Sequence, residues 1–156
     1  MNTATATSIR AIHLLDIENL LGTPFFTARD VTLFKRFYET TEVYEDGDLI
    51  VIATSNSKGI FEANVGWGSA RYTFRHGENG ADFALIDVLK DENIDTRFGR
   101  VVIASGDGIF ENQVKNLLSA NVDVHVVSRR GSLHHCIAAT KAHLHLFCTA
   151  DYDLAA

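Results

Sequence analysis

Ile12-His-Leu-Leu-Asp-Ile-Glu-Asn19 joins a short apolar run directly to a polar, acidic segment. The run predicts a buried strand over residues 12–15, with Asp16 at its carboxyl end. Open parallel sheets bind their ligands at the carboxyl ends of the strands, so the Asp16 carboxylate lies where a ligand would be held. Asn19 can bond to a metal-bound water, a phosphate oxygen or the Asp16 carboxylate. An aspartate that caps the next turn would explain the same residues, and both interpretations stay open.

Apolar runs and helical patterns alternate along the rest of the chain, which predicts an α/β domain with a parallel sheet covered on both faces. Further strands are predicted at residues 49–53, 70–74, 101–104 and 122–127, with a sixth, edge strand at 143–147. Thr27 begins a helix through a capping box with Asp30. The other helices are predicted at residues 58–66, 80–91, 109–120 and 133–141.

The composition fits one globular domain, since the chain has 156 residues of which 46% are hydrophobic. We predict a domain over residues 9–148, with loose tails at 1–8 and 149–156. The net charge of -6 argues against binding nucleic acid through a broad basic surface. It is compatible with a site that gathers carboxylates around a metal ion. No apolar run is long enough to span a bilayer and no secretion signal is visible, so we expect no membrane association, a cytoplasmic location and two reduced cysteines.

Two further carboxylates occupy positions comparable to that of Asp16. Asp107 lies in Ser105-Gly-Asp-Gly108, directly after the fourth predicted strand, and Glu111 follows it by one helical turn. Asp82 opens a helix after a glycine-containing loop. Each aspartate alone is equally explained as a helix cap or a charge at a helix start. Together they predict a site for a divalent cation, because hard ions take oxygen ligands from several segments.

Four segments carry a resemblance to the NYN domains, a branch of the PIN-like nucleases. They are residues 14–22, 80–89, 101–110 and 122–133, and they cover nearly the whole chain in the order of that family. The resemblance implies a three-layer α/β/α PIN-like fold with a mostly parallel sheet of five or six strands. It also implies a metal-dependent ribonuclease site, with Asp16, Asn19, Asp82 and Asp107 at matching positions. Many relatives carry another aspartate where this chain has Ile109, and Glu111 is the residue that would compensate for it.

The resulting hypothesis is an endoribonuclease in which Asp16, Asp82 and Asp107 bind Mg²⁺ or Mn²⁺. Its substrate would be single-stranded or structured RNA, and whether the chain forms a homo-oligomer stays open. Trp67, Tyr72 and Phe74 are candidates for base stacking, with core packing favoured for Phe74. The candidate phosphate contacts are Lys58, Arg71, Arg75, Arg129 and Arg130.

Two other functions are compatible with the same residues. One is an RNA-binding or assembly module whose site no longer cuts, and the other is a phosphoacceptor that uses Asp16 or Asp107. The seven histidines show no spacing typical of a closed zinc site, so we expect surface histidines. The sequence contains no P-loop, dinucleotide-binding motif or nucleophile elbow.

Overall fold

The computed structural model describes residues 10–153, and the predicted N-terminal tail lies outside this range. All six predicted strands are present in it. They are β1 (Ala11–Asp16), β2 (Leu49–Thr54), β3 (Arg71–Phe74), β4 (Arg100–Ala104), β5 (Asp123–Arg129) and β6 (His143–Phe147). The helices are α1 (Ile17–Leu21), α2 (Ala28–Tyr38), α3 (Ser57–Trp67), α4 (Gly80–Asp91), α5 (Ile94–Arg97), α6 (Glu111–Ser119), α7 (His135–Ala138) and α8 (Ala150–Asp153).

The strands form one sheet in the order β3-β2-β1-β4-β5-β6, and every pairing is parallel. β1 is central and pairs with β2 on one side and β4 on the other. The chain runs outward from β1 to β3, then returns to place β4 beside β1. The strand order therefore reverses between the neighbouring strands β1 and β4.

Two hydrophobic cores, one on each face of the sheet, make the fold a three-layer α/β/α structure. Alternate residues of β1 divide between them, with Leu14 in one core and Leu15 in the other. The first core packs against α4, α5, α6 and α7, and the second against α1, α2, α3 and α8. This confirms the predicted α/β class with its sheet covered on both faces.

Local sequence signals account for most element boundaries. The Thr27–Asp30 capping box is present, and the predicted bounds of α4 and β6 are confirmed. The helix predicted over residues 133–141 is wrong in length, since α7 is a single turn with His134 as its N-cap. Instead of a loose tail from residue 149, the chain forms α8, whose Tyr152 is buried against Phe34 and Phe147.

Within the described segment, none of the helices combines the length and the apolar character that a membrane crossing requires. Cys136 and Cys148 are both free thiols.

Candidate active site

Asp16 and Asp107 flank the position where the strand order reverses. Asp16 is the last residue of β1, and Asp107 follows the end of β4 by three residues. Each also caps the turn after it: Asp16 accepts a hydrogen bond from the Asn19 backbone at 3.1 Å, and Asp107 accepts one from Ile109 at 2.9 Å. Such reversals are where open α/β sheets bind ligands. Capping and site formation are therefore combined in the same two side chains.

Asp82 reaches the same edge from the first turn of α4. The loop before α4 folds back so tightly that a Cβ at residue 80 would overlap the Arg75 carbonyl oxygen, so only glycine fits there. Asn79 precedes it in the left-handed conformation, with φ of 58°. α4 packs on β1 and β2, and Asp82 is buried at its N-terminal end. The loop geometry thus fixes the third carboxylate in a buried position near the carboxyl ends of the strands.

Asp16 and Asp82 are both buried at this edge, and each affects the pKa of the other. Burial raises the pKa of Asp16 well above its ordinary value, and the contact with Asp82 raises it further. Burial also raises the pKa of Asp82, and the charges of Asp107 and Glu18 add to this effect. When both carboxyls are ionised neither can donate a hydrogen, and Asp82 Oδ1 is then buried without a hydrogen-bond partner in the described structure. The pair is therefore poised to bind either a proton or a cation.

Asn19 connects the loops around the three aspartates. Its side-chain oxygen accepts a hydrogen bond from the Gly106 backbone at 3.2 Å, and its carbonyl oxygen accepts one from Arg129 Nε at 2.9 Å. Glu18 accepts hydrogen bonds from the backbone and hydroxyl of Ser55, after β2. The ends of β1, β2, β4 and β5 are thereby tied together. In this arrangement Asn19 positions the loops that carry the carboxylates.

Glu111, the residue expected to replace the carboxylate missing at Ile109, is used elsewhere. Its carboxylate forms an ion pair with Lys115 at 2.6 Å, one turn further along α6. This hydrogen bond is the main reason that the pKa of Glu111 is lowered, with smaller contributions from Cys136 and His134. Ile109 is packed against the core. The contacts of Glu111 therefore lie toward α7.

The five predicted phosphate contacts do not form one surface. Arg129 ends β5 beside Asn19, and Arg130 follows it in an exposed position. Arg75 follows β3, with its guanidinium 5.2 Å from the centre of the Phe83 ring, and Lys58 is exposed in the first turn of α3. Arg71 starts β3 at the opposite edge of the sheet, where it forms a two-point ion pair with Glu92. Four of the five thus follow strand ends, and Arg71 does not.

The aromatic side chains considered for base stacking differ from the expectation. Trp67 is buried against Phe34 and Tyr38, so it belongs to the core. The Tyr72 hydroxyl donates a hydrogen bond to the Gly68 carbonyl. Phe74, for which core packing was favoured, is exposed at the end of β3. Phe74 is therefore the one of the three that is available at the carboxyl edge.

Two polar clusters at the amino ends of the strands were not predicted from the sequence. His13 is fully buried, with Nδ1 2.6 Å from the Tyr38 hydroxyl and Nε2 2.8 Å from Asp48 Oδ2. Arg100 also donates to Asp48 Oδ2, at 3.0 Å. The second cluster is formed by Asp123, His125 and His143. Among residues 10–153 this cluster, rather than the three aspartates, has three ligand atoms all within 4.8 Å of one another.

Comparison with known proteins supports the fold and leaves the function open. Neither the protein-family models nor the curated proteins gave a match. A crystal structure of a protein of unknown function from Vibrio parahaemolyticus is similar, with a TM-score of 0.62 and 17% sequence identity. The alignment covers 92% of this chain and 95% of that protein. At this level of identity, the likeness extends to the three-layer fold.

Proposed function

We propose that the protein is a metal-dependent ribonuclease that hydrolyses phosphodiester bonds at the carboxyl edge of its sheet. The observation that carries this proposal is the buried Asp82 carboxylate, whose Oδ1 has no hydrogen-bond partner among residues 10–153, at the same edge as Asp16 after β1 and Asp107 after β4. These carboxylates come from three separate elements around the reversal of strand order. Burial of like charges is unfavourable in an isolated protein, and a bound cation compensates for it.

The donor chemistry of these residues suits a hard divalent ion, and the three carboxylates, which do not meet within 4.8 Å among residues 10–153, would move together to bind it. The three aspartates offer only oxygen ligands, which suit Mg²⁺ or Mn²⁺. Asp82 Oδ1, buried without a hydrogen-bond partner among the described residues, is a ligand atom that such an ion would use. Asp16, Asp82 and Asp107 would hold the ion, which when bound would polarise the phosphate and lower the pKa of a coordinated water.

The chain's other residues would position the reacting groups. Asn19 holds the β1 and β4 loops at a fixed separation through its bond to Gly106. A Cβ at residue 106 would overlap the Ser128 hydroxyl and the Ser132 carbonyl oxygen, so glycine allows the loop after β4 to approach the end of β5 and the loop that follows it. Arg75, Lys58 and Arg130 are exposed cations able to contact RNA phosphates on either side of the cleavage point. Exposed Phe74 can stack on a base.

A cleavage assay with labelled RNA tests the proposal. Single-stranded and hairpin RNAs are incubated with the protein in Mn²⁺, in Mg²⁺ and in EDTA. We expect cleavage only with a divalent ion, and its loss in Asp16→Asn and Asp82→Asn. The matched control is Asp91→Asn, which makes the same charge change at the exposed C-terminal end of α4. Cleavage that persists in EDTA, or that both site variants retain, would refute the mechanism.

A second function is favoured by the contacts of Glu111. Because Glu111 is paired with Lys115 and Ile109 packs into the core, the site has fewer carboxylates than the nucleases it resembles. An RNA-binding or assembly module with such a site would retain RNA without cutting it. With the same labelled RNAs, such a protein would leave the RNA intact in the cleavage assay and slow its migration in a native gel. A role on RNA, together with the free thiols of Cys136 and Cys148, agrees with a cytoplasmic location. Whether the protein forms a homo-oligomer is tested by measuring its mass in solution.

A further inference from the structure

The amino ends of β5 and β6 bring two imidazoles and a carboxylate together on one face of the sheet. Asp123 and His125 are two residues apart in β5, so their side chains point to the same side. His143 is the register partner of His125 on the neighbouring edge strand. The His125 and His143 rings stack with centroids 4.7 Å apart. Backbone pairing, rather than a flexible loop, therefore sets the distances within the cluster.

From this geometry we propose that Asp123, His125 and His143 form a binding site for a transition-metal ion of the Zn²⁺ type. Asp123 Oδ2 lies 3.1 Å from His125 Nε2, and Asp123 Oδ1 lies 3.4 Å from His143 Nε2. Ligands about 2.0–2.1 Å from a tetrahedral zinc ion are about 3.3 Å from each other. The two separations run to different oxygens of Asp123, and one ligand atom from each of the three residues lies within 4.8 Å of the other two, so side-chain rotation can bring them onto one ion.

A contact between His125 and His145, on the side of the His125 ring away from Asp123, orients that ring. His125 Nδ1 lies 2.8 Å from His145 Nε2, and His145 Nδ1 lies 3.7 Å from Glu42 Oε1. If His125 binds the ion through Nε2, its Nδ1 carries the hydrogen and donates it to His145. His145 then carries its own hydrogen on Nδ1, facing Glu42. Metal-binding histidines usually donate their second N–H to such a partner, which fixes the tautomer and the orientation of the ring.

The donor set and its exposure determine which ion fits. Two imidazoles with one carboxylate favour Zn²⁺ and its neighbours in the first transition row over Mg²⁺, which prefers oxygen ligands. The His143 side chain is 66% exposed and that of Asp123 is 49% exposed, so an ion can enter from solvent and keep a water as its fourth ligand. The site is at the opposite edge of the sheet from the three aspartates. It is therefore independent of the proposed nuclease.

Metal titration of the full-length protein tests the site. Chelator-treated protein is titrated with Zn²⁺ by calorimetry and with Co²⁺ by visible absorption, which reports tetrahedral ligation. With excess Mg²⁺ present to occupy the carboxylate edge, we expect one Zn²⁺ or Co²⁺ ion per chain for the wild type. His143→Gln and Asp123→Asn each remove a ligand from an exposed position, and we expect about 100-fold weaker binding or more. His145→Gln, which removes only the orienting partner, should weaken binding about 10-fold.

Two control variants distinguish this site from zinc binding elsewhere on the chain. His135→Gln changes an exposed histidine on α7, and Asp91→Asn changes an exposed carboxylate at the end of α4, so both should bind Zn²⁺ as the wild type does. Circular dichroism checks that each variant is folded. The proposal is overturned if Zn²⁺ binding does not saturate, or if His143→Gln and Asp123→Asn bind as tightly as the wild type. It is also overturned if one ion is shared between two chains in a metal-induced dimer.

Discussion

Replacing Asp82 by asparagine should stabilise the metal-free protein. In the wild type Asp82 is buried beside Asp16, and its Oδ1 has no hydrogen-bond partner within residues 10–153. An asparagine has no charge and can donate its amide hydrogen to the Asp16 carboxylate. The N-cap of α4 is Asn79, so the substitution keeps the cap residue and removes only the first-turn charge, which contributes about 0.3–1 kcal/mol.

The size of the effect follows from two contributions. A buried polar atom without a partner costs about 1–3 kcal/mol, and a hydrogen bond to a charged group contributes about 1.5–3 kcal/mol. Since the carboxyl pair avoids part of the cost by binding a proton, we expect a gain of about 2 kcal/mol in the free energy of unfolding. For a chain of this length, that raises Tm by roughly 4–8 °C.

Thermal unfolding in EDTA and in Mn²⁺ measures both sides of this prediction. In EDTA, Asp82→Asn should melt above the wild type. At an ion concentration 100 times Kd, the wild type should gain about 2.7 kcal/mol. The variant has lost a ligand and should gain much less, so the difference in Tm between the two proteins shrinks or reverses. Asp91→Asn, the control, should follow the wild type in both conditions.

A lower Tm of Asp82→Asn in EDTA, accompanied by an unchanged Tm of the wild type on addition of Mn²⁺, would contradict the prediction. That result would mean that the Asp82 carboxylate stabilises the fold through protein contacts alone. It would remove the main support for a cation site at this edge.

The pH dependence of stability gives a further prediction. The pKa of Asp16 is raised in the folded protein, so proton binding by this carboxyl stabilises the fold. That stabilisation is complete below the ordinary Asp pKa and is lost as pH rises through the raised value. The Tm of the wild type in EDTA should therefore fall relative to that of Asp16→Asn as pH increases from acidic to neutral, and a constant difference would be inconsistent with a raised pKa. Tyr38→Phe should destabilise the protein by about 1–3 kcal/mol, since it leaves Nδ1 of buried His13 without the hydroxyl now 2.6 Å away. Urea unfolding measures this loss, and an unchanged midpoint would show that His13 finds another partner.

Elements that depend on local sequence were predictable. The buried strands are short apolar runs with turn residues at their ends, and α4 begins and ends where its apolar face does. α7 was predicted too long because Leu133 and Ile137 have helical spacing, although the chain forms only one turn there. α1 was missed because its five residues are too few to show a periodic pattern.

The candidate sites divide in the same way. The positions of Asp16 and Asp107 follow from the strands that precede them, so they could be predicted before the fold was known. The contact of Asp16 with Asp82 depends on how α4 packs across β1, which no local pattern contains. The cluster of His125 and His143 depends on the register of two strands, and a shift of one residue would place these rings on opposite faces. The visible signals of it were the alternating patterns Asp123-Val-His125 and His143-Leu-His145.

The central position of β1 also has a consequence for synthesis on the ribosome. Among the described strands β1 is made before the others, but its partner β4 pairs through Val102 with His13, so most of residues 10–153 must be translated before that pairing can form. At about 5–20 residues per second, the delay is on the order of ten seconds. During this time a strand that is buried along its whole length in the finished fold has one open side. Chaperone dependence during translation should therefore be greatest before β4 emerges, and nascent chains ending ahead of residue 100 should be the most prone to aggregate.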